Sequence, residues 1–291
     1  AAGFYAVEFY RDCQRLLTPD GIFTQWLPIH QIPREDFKTI LRSFRAGFPH
    51  TSIWHKYTAD FCMLMGARKP LEIDLQQVER RVSHSPVREH LARCDVREVW
   101  DLLDSFCLSE EAIDQAVGDG PLQTDAHPYI EYHRFRGMAS DNIRNLALLA
   151  ANRRRVWPYL VNVPEARQQE AGEQLEKWFR GTQELLKAQW TAADHRRMSI
   201  VRYQETFERA AASYMKALDL NPADTNARFL WGRAFARYHL YMARFYFLQN
   251  QSQRAVRHLH QAAERSPDTY WGAEAGFLLE SLEKGLPYRP R

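Results

Sequence analysis

The first fifty residues follow a helix–strand–helix pattern of apolar positions. From Phe9 to Leu17, apolar residues recur three and four positions apart, which predicts one face of an amphipathic helix. The turn residues Pro19 to Gly21 end this helix, and the apolar run Ile22 to Leu27 predicts a buried strand. A second apolar stripe begins after Pro33, which suits a first helical position, and stops at Pro49. We therefore expect an α/β domain here.

A strand hairpin is predicted next. Thr51 to Lys56 and Phe61 to Gly66 form two short apolar runs joined by four residues. A connection this short permits only antiparallel pairing, because parallel strands need a much longer crossover. Further along, Leu122 to Pro128 is polar and predicts a loop, and Tyr129 to Tyr132 predicts a short strand.

Residues 72–117 predict several short helices between these strands. Asp74 and Pro86 each stand at a predicted helix start. Asp95 is the predicted cap of a third helix, with Glu98 three residues later as its capping-box partner. Ser109 is the predicted cap of a fourth helix.

The composition changes near residue 140, and strand-like segments disappear from there on. Residues 164–194 are rich in Glu, Gln, Lys, Leu and Ala, which favour helices. We therefore predict a partial α/β domain over residues 1–138, a linker over residues 139–163 and an all-α domain over residues 164–291.

Two segments of the helical part resemble each other. In Ala210 to Pro222 and in Ala255 to Pro267, two alanines lie seven residues apart and a proline follows five residues later. Small residues let paired helices approach closely, and the arrangement resembles the second helix of a tetratricopeptide repeat. The prolines lie 45 residues apart, against about 34 in that repeat, and the helical stretch Thr225 to Gln249 is expected to hold the excess. A plain helical bundle is the alternative.

That long helical stretch is rich in aromatic residues. Their spacing covers more than one helical face, so the helix either packs on two sides or leaves some of them exposed. We expect at least two of the eight to be exposed, as part of a surface that binds a protein partner. The eight are Phe229, Trp231, Phe235, Tyr238, Tyr241, Phe245, Tyr246 and Phe247.

Composition narrows the class of protein. No apolar run nears the roughly 18 residues that a membrane span needs. The four cysteines show no CxxC spacing, so zinc and thioredoxin-type sites lack support, and reduced thiols in the cytoplasm are the simplest account. We predict no metal site.

The charge is unevenly spread. Residues 1–140 carry 16 Lys and Arg against 20 Asp and Glu, whereas residues 141–291 carry 23 against 16. A basic helical region can meet nucleic acid or anionic lipid, but a solvated helical surface is the simpler account of the excess. We therefore predict no nucleic-acid partner.

The first 136 residues resemble the C-terminal half of the spermidine synthase-like proteins, the polyamine aminopropyltransferases. The last of four matching stretches resembles the family's Thr-Asp-Asp-x-Pro loop, with Ala126 in place of the second Asp. The four are Phe4 to Tyr10, Leu17 to Pro28, Asp36 to Phe44 together with Phe48 to Thr51, and Pro121 to Tyr132. The resemblance implies the second half of a Rossmann-like, class I methyltransferase-type sheet, followed here by the tetratricopeptide-like helices.

The family transfers an aminopropyl group from decarboxylated S-adenosylmethionine to an amine. This chemistry needs a neutral amine nucleophile, and carboxylates that hold the substrate and accept a proton. In the family, the Gly-rich loop, the ribose-binding acid and the catalytic Asp lie upstream of the stretches matched here. The resemblance therefore places no catalytic or cofactor-binding residue in these 291 residues, and we expect this chain alone to be inactive. Some relatives carry a membrane-spanning N-terminal part.

We predict a substrate-binding site at Gln25, Trp26, His30 and Asp125, and the resemblance bears on Gln25 and on the loop that holds Asp125. Gln25, near the end of a strand, resembles a Gln that lines the amine site; the alternative is a solvent-facing strand end. Trp26 would wall the pocket, although we expect it in the core because pleating points it away from Gln25. His30 and Gln31 follow the strand and would line the same cleft. Asp125 would cover the site from its loop, or form an Asx-turn.

Two other interpretations stay open. One is a non-catalytic helical-repeat scaffold that binds a protein partner. The other is part of a different class I methyltransferase-like enzyme, since that fold also ends in an antiparallel hairpin. The sequence upstream of Ala1 discriminates best, because a Gly-rich strand–helix turn and an acidic loop there would support the aminopropyltransferase.

Overall fold

A computed structural model describes residues 2–30, 32–132, 139–193 and 198–284. Backbone contacts divide the chain into two compact units, residues 1–194 and residues 195–291. The first unit is mixed α/β with a small antiparallel sheet, and the second is all-helical over its described residues. These two classes are those that the sequence predicts.

The first unit contains eight helices and six strands among its described residues, together with short 3₁₀ turns. The helices are α1 (Val7–Leu16), α2 (Arg34–Gly47), α3 (Leu75–Ser83), α4 (Ser85–Arg93), α5 (Val99–Asp104), α6 (Glu110–Val117), α7 (Ala139–Asn152) and α8 (Glu165–Ala193). The strands are β1 (Ile22–Pro28), β2 (His50–Trp54), β3 (Phe61–Ala67), β4 (Ile73–Asp74), β5 (Phe106–Leu108) and β6 (Leu160–Val161). The 3₁₀ turns are Ala2–Tyr5, Tyr129–Tyr132 and Trp157–Tyr159.

The main sheet has the strand order β1-β3-β2-β5. Strand β3 lies antiparallel to both β1 and β2, so these two outer neighbours run parallel to each other. Leu64 pairs with Gln25 on one side and with Ile53 on the other. The predicted strand at 22–27 and the predicted hairpin are therefore confirmed.

One face of this sheet packs against α1 and α2. Tyr10 and Phe44 meet edge to face, with ring centroids 5.1 Å apart, and Phe23 stacks on Phe48 at 5.2 Å. Gly66 of β3 lies beneath Phe48, where an added Cβ would approach the ring to 2.5 Å. Only glycine allows the sheet and this aromatic cluster to approach so closely.

A second core lies around α5 and α8. Leu103, Phe106, Val156 and Leu175 are buried there with Trp178 and several smaller groups. The two-residue strands β4 and β6 pair in parallel at its edge. In this core, residues more than seventy positions apart in the sequence pack against one another.

The caps at Asp74 and Ser109 are confirmed, since each side chain accepts a hydrogen bond from the backbone N–H three residues later. Pro86 in the first turn of α4 is confirmed as well. The predicted cap at Asp95 is wrong. This residue has a φ of 60°, outside the extended region that an N-cap needs, and α5 begins only after Glu98.

The strand prediction for Tyr129–Tyr132 is also wrong. The segment forms a 3₁₀ turn, because the Gln123 side chain accepts a hydrogen bond from the Ile130 N–H and Pro128 O accepts one from the Glu131 N–H. Strands β4 and β5 lie in the region predicted to be helical, and β6 lies in the predicted linker.

The unit boundary differs from the predicted domain boundary. Helix α7 occupies most of the predicted linker, and Leu149 and Ala150 on it are buried. Helix α8 packs against α5 and α7. The contacts therefore place residues 164–194 with the α/β unit, and the second unit starts after Asp194.

The second unit consists of α9 (Ile200–Leu220), α10 (Thr225–Leu248), α11 (Ser252–Arg265) and α12 (Tyr270–Glu283). Helix α10 packs against all three others, and α11 packs against α12. The repeated alanines Ala210, Ala217, Ala255 and Ala262 are all buried, as expected of positions where helices approach closely. The exposure prediction for α10 is confirmed, since Phe229 and Tyr241 are 51% and 38% exposed.

Candidate functional site

Gln25 lies on β1, on the face of the sheet that α1 covers. Its side-chain Oε1 accepts a hydrogen bond of 2.7 Å from the Tyr10 hydroxyl, and its Nε2 donates to Phe4 O at 3.1 Å. Burial raises the pKa of Tyr10 well above its usual value, so this phenol stays a donor. Gln25 thus ties the strand to the start of α1, and its amide faces that helix start rather than bulk solvent.

Asp125 lies close to the same helix start. Its backbone N–H donates to Glu8 Oε2 at 3.2 Å, and the Val7 N–H donates to Gln123 O at 3.0 Å. The turn before Pro128 is closed by the Thr124 hydroxyl, which accepts from the His127 N–H, and not by an Asp125 Asx-turn. Gln25 and the backbone of Asp125 therefore both contact α1, Gln25 through Tyr10 and Asp125 through Glu8.

Trp26 lies on the opposite face of the sheet from Gln25, as the pleat predicts. It is 50% exposed and packs against Phe61 with ring centroids 5.9 Å apart. The core position expected for Trp26 is therefore wrong, because this side of β1 is not covered by a helix among the described residues. Trp26 does not share a pocket wall with Gln25.

His30 follows β1 and lies beside the turn before β3. Its Nδ1 lies 3.1 Å from Asp60 O and 3.6 Å from Asp60 Oδ2. The imidazole thus fixes the β1 end to the β2–β3 turn. Gln31, predicted to line the same cleft, is outside the described residues.

An open cleft of about 620 Å³ runs between α1 and the C-terminal end of α2. Glu8 belongs both to this cleft and to the Asp125 contact. Glu8 and Asp12 supply two carboxylates one helical turn apart. Arg11, Arg15 and Arg45 also line it, and Arg45 contacts Glu110 and Asp114 on α6. The cleft therefore carries two carboxylates and three guanidinium groups, and Asp12 is already paired with Arg15.

Sequence reasoning missed Glu8 and Tyr10 as members of this group. Glu8 stands in the first turn of α1, where an acidic side chain is ordinary and carries no functional signal. Tyr10 follows the apolar stripe of the helix and gives no sign of its bond to Gln25. Both roles depend on contacts with residues distant in the sequence.

Within the described ranges, no three His, Cys, Asp or Glu side chains converge in a way that could hold a metal ion. A search of the same residues found no helix long and apolar enough to cross a bilayer. Comparison of the chain with protein-family models, with curated proteins and with solved structures gave no match.

Proposed function

We propose that residues 1–138 are the C-terminal portion of a spermidine synthase-like aminopropyltransferase, and that the helices after them are an interaction extension. In this proposal, the binding site for decarboxylated S-adenosylmethionine and the catalytic Asp lie in sequence outside the 291 residues. The amine acceptor is a small polyamine or diamine. The reaction forms a carbon–nitrogen bond and breaks the bond from the aminopropyl carbon to the sulfonium.

The strand arrangement carries the proposal. Strands β1 and β2 are parallel to each other, and β3 is inserted antiparallel between them. This arrangement supports the antiparallel hairpin that the resemblance implies, which other class I methyltransferase-like enzymes share, and here β5 pairs with β2 beyond it. If the strands followed their order in the sequence, β2 would lie beside β1 and β3 would lie at the edge, as is usual for sequential strands.

The position of Gln25 adds to this support. It lies on β1 facing the start of α1, the helix that follows the catalytic loop in the family. Asp125, from the loop resembling the Thr-Asp-Asp-x-Pro motif, reaches the same helix start through Glu8. Two motifs a hundred residues apart in the sequence therefore both contact α1 or the turn before it.

The test uses the complete reading frame from which this chain derives. Purified protein is incubated with decarboxylated S-adenosylmethionine and putrescine or spermidine, and the aminopropylated product is measured by mass spectrometry. We expect transfer, and a reduction of at least tenfold in Gln25→Ala. Thr24→Ala, on the exposed face of the same strand, is the matched control and should retain activity.

Absence of product with every amine tested would contradict the aminopropyltransferase proposal. Methyl transfer from S-adenosylmethionine in the same assay would favour the other class I methyltransferase-like enzyme instead. The upstream coding sequence gives an independent check, since the proposal expects a Gly-rich strand–helix turn followed by an acidic loop.

The second candidate is a helical-repeat scaffold, and exposed aromatic residues on α10 favour it. Phe229 and Tyr241 remain exposed although α10 packs against three helices. Packing of α10 with α11 and α12, with alanines at the close approaches, supports tetratricopeptide-like stacking. A photo-reactive amino acid at position 241 should crosslink one recurring protein in native extract. The same group at exposed Val201 on α9 is the control.

A further inference from the structure

A cavity in the first unit lies apart from Gln25 and Asp125. Its volume is about 260 Å³, and it lies between α5, the segment 153–157 and α8. Apolar side chains form most of its wall, namely Leu103, Phe106, Val156, Trp157, Leu175 and Phe179. Protein interiors are close-packed and seldom leave apolar space of this size unfilled.

Gly172 of α8 keeps this space open. It lines the cavity, and an added Cβ at this position would meet no atom within 4 Å. Glycine in a helix interior costs about 1 kcal/mol relative to alanine. The helix therefore carries a destabilising residue where a larger side chain would project toward the cavity.

Four of the five charged groups of the cavity wall form ion pairs with one another. Arg153 Nη2 donates to Asp104 Oδ1 at 2.5 Å, and the Thr182 hydroxyl donates to Asp104 Oδ2 at 2.5 Å. Arg155 makes a bidentate ion pair with Glu176, with Nε 2.7 Å from Oε2 and Nη2 2.9 Å from Oε1. The remaining arginine, Arg154, directs its guanidinium to Gln115 on α6 and to backbone carbonyls.

A charged ligand seated against Arg153 or Asp104 would have to break their buried pair. Arg155 and Glu176 are about half exposed, so exchanging their pair for a charged ligand would contribute little binding energy. Breaking the Arg153–Asp104 pair would leave a buried charge uncompensated, which is strongly unfavourable. An uncharged apolar molecule needs no such exchange, and it gains from burying its surface against the aromatic wall. The guanidinium groups of Arg153 and Arg155 each lie 4.5 Å from the Phe179 ring centroid, and these contacts hold that ring in place at the cavity wall.

We propose that this cavity binds a compact uncharged molecule, either an aromatic ring or a short branched aliphatic group. Trp157, 37% exposed, stands on the solvent side of the wall, where such a ligand would enter. The proposal does not depend on aminopropyl transfer, whose substrates are cationic.

Three probes of matched size and different charge test the proposal: toluene, benzoate and benzylamine. Binding to the full chain is measured by ligand-observed NMR and by the shift in thermal unfolding. We expect toluene to bind and both charged probes to bind at least tenfold more weakly. Equal binding of a charged probe, or no binding of toluene, would overturn the proposal.

Gly172→Leu is the decisive variant, since its side chain would occupy part of the cavity. We expect a loss of at least tenfold in toluene affinity without loss of folding, because leucine has a higher helix propensity than glycine. Gln169→Leu introduces the same side chain at an exposed position of α8 and should bind toluene as the unchanged protein does. If Gly172→Leu folds and still binds toluene with unchanged affinity, the probe lies elsewhere and the assignment of this cavity fails. Should Gly172→Leu not fold, Gly172→Ala supplies the same comparison with a smaller expected loss.

Discussion

Among the individual residue contacts, a pair of histidines links α10 to α11. His239 Nδ1 lies 2.7 Å from His258 Nδ1, so one ring donates a proton and the other accepts it, and at least one ring is neutral. Tyr246 stacks on His258, and Phe235 lies against His239. The two rings come from different helices, since His239 lies on α10 and His258 on α11.

Acid should weaken this contact. Burial lowers the pKa of His239 to about 3 and also lowers the pKa of His258, with Arg265 and Arg257 adding to these effects. The unfolded chain has ordinary histidines near pH 6.5 and binds more protons than the folded one below that pH. The stability contributed by the neutral pair is therefore present above pH 6.5 and is lost as the pH falls toward 3.

We expect the free energy of unfolding of the second unit to fall by roughly 1 kcal/mol per pH unit between pH 6 and 4. Urea unfolding followed by circular dichroism at several pH values measures this change. His239→Leu should flatten the pH dependence, whereas His260→Gln, at a half-exposed side chain outside the pair, should leave it unchanged. An unaltered slope in His239→Leu would show that other groups are responsible.

The buried Arg153–Asp104 pair is a second feature at this scale. Both side chains are almost fully buried, and the Thr182 hydroxyl donates a hydrogen bond to the second oxygen of the Asp104 carboxylate. Asp104→Ala leaves the guanidinium without its carboxylate partner, and we expect a loss of about 3–5 kcal/mol in the free energy of unfolding. Asp20→Ala breaks the exposed pair with Lys69 and should cost less than about 1 kcal/mol. Equal losses in chemical denaturation would contradict the burial argument.

At the scale of elements, the turn between α11 and α12 depends on a glycine. The Gly272 N–H donates to the Thr269 hydroxyl that caps α12. An added Cβ on Gly272 would lie 1.8 Å from Ser266 O, a backbone atom at the end of α11. The two helices can therefore meet at this angle only with glycine at this position.

Two alanine substitutions in α12 should have opposite effects. Gly272→Ala should destabilise the protein by about 2 kcal/mol, because the clash with backbone exceeds the gain in helix propensity. Gly276→Ala should stabilise it by up to about 1 kcal/mol, since the nearest atom to its Cβ is the Ala263 Cβ at 3.9 Å. Thermal unfolding of both variants measures the difference, and a stabilised Gly272→Ala would exclude the close contact.

The whole-molecule prediction concerns the 291-residue chain in isolation. We expect no aminopropyl transfer from it and no binding of decarboxylated S-adenosylmethionine, because the resemblance places the loop and acids for both upstream. Mass spectrometry for product and calorimetry for binding measure the two expectations. Detection of either would show that this chain carries its own nucleotide site. The complete reading frame, tested in parallel, controls for the quality of the substrates.

The sequence by itself determined the elements whose signals are local. The stripes of α1 and α2, the four-residue connection of the β2–β3 hairpin and the caps at Asp74 and Ser109 all lie within one or two helical turns of sequence. The exposure of aromatic residues on α10 followed from their spacing around one helix. These features need only neighbours along the chain.

Only the tertiary structure decided the rest. Strand β5 is three residues long, too short to show a period, and it exists because β2 offers it a partner. The side-chain partners of Gln25 come from α1 and the 3₁₀ turn before it, while Trp26 is exposed because no described helix covers its face. The cavity at Gly172 is formed by three distant segments. Such contacts depend on which surfaces meet after folding, and no periodicity along the chain encodes that choice.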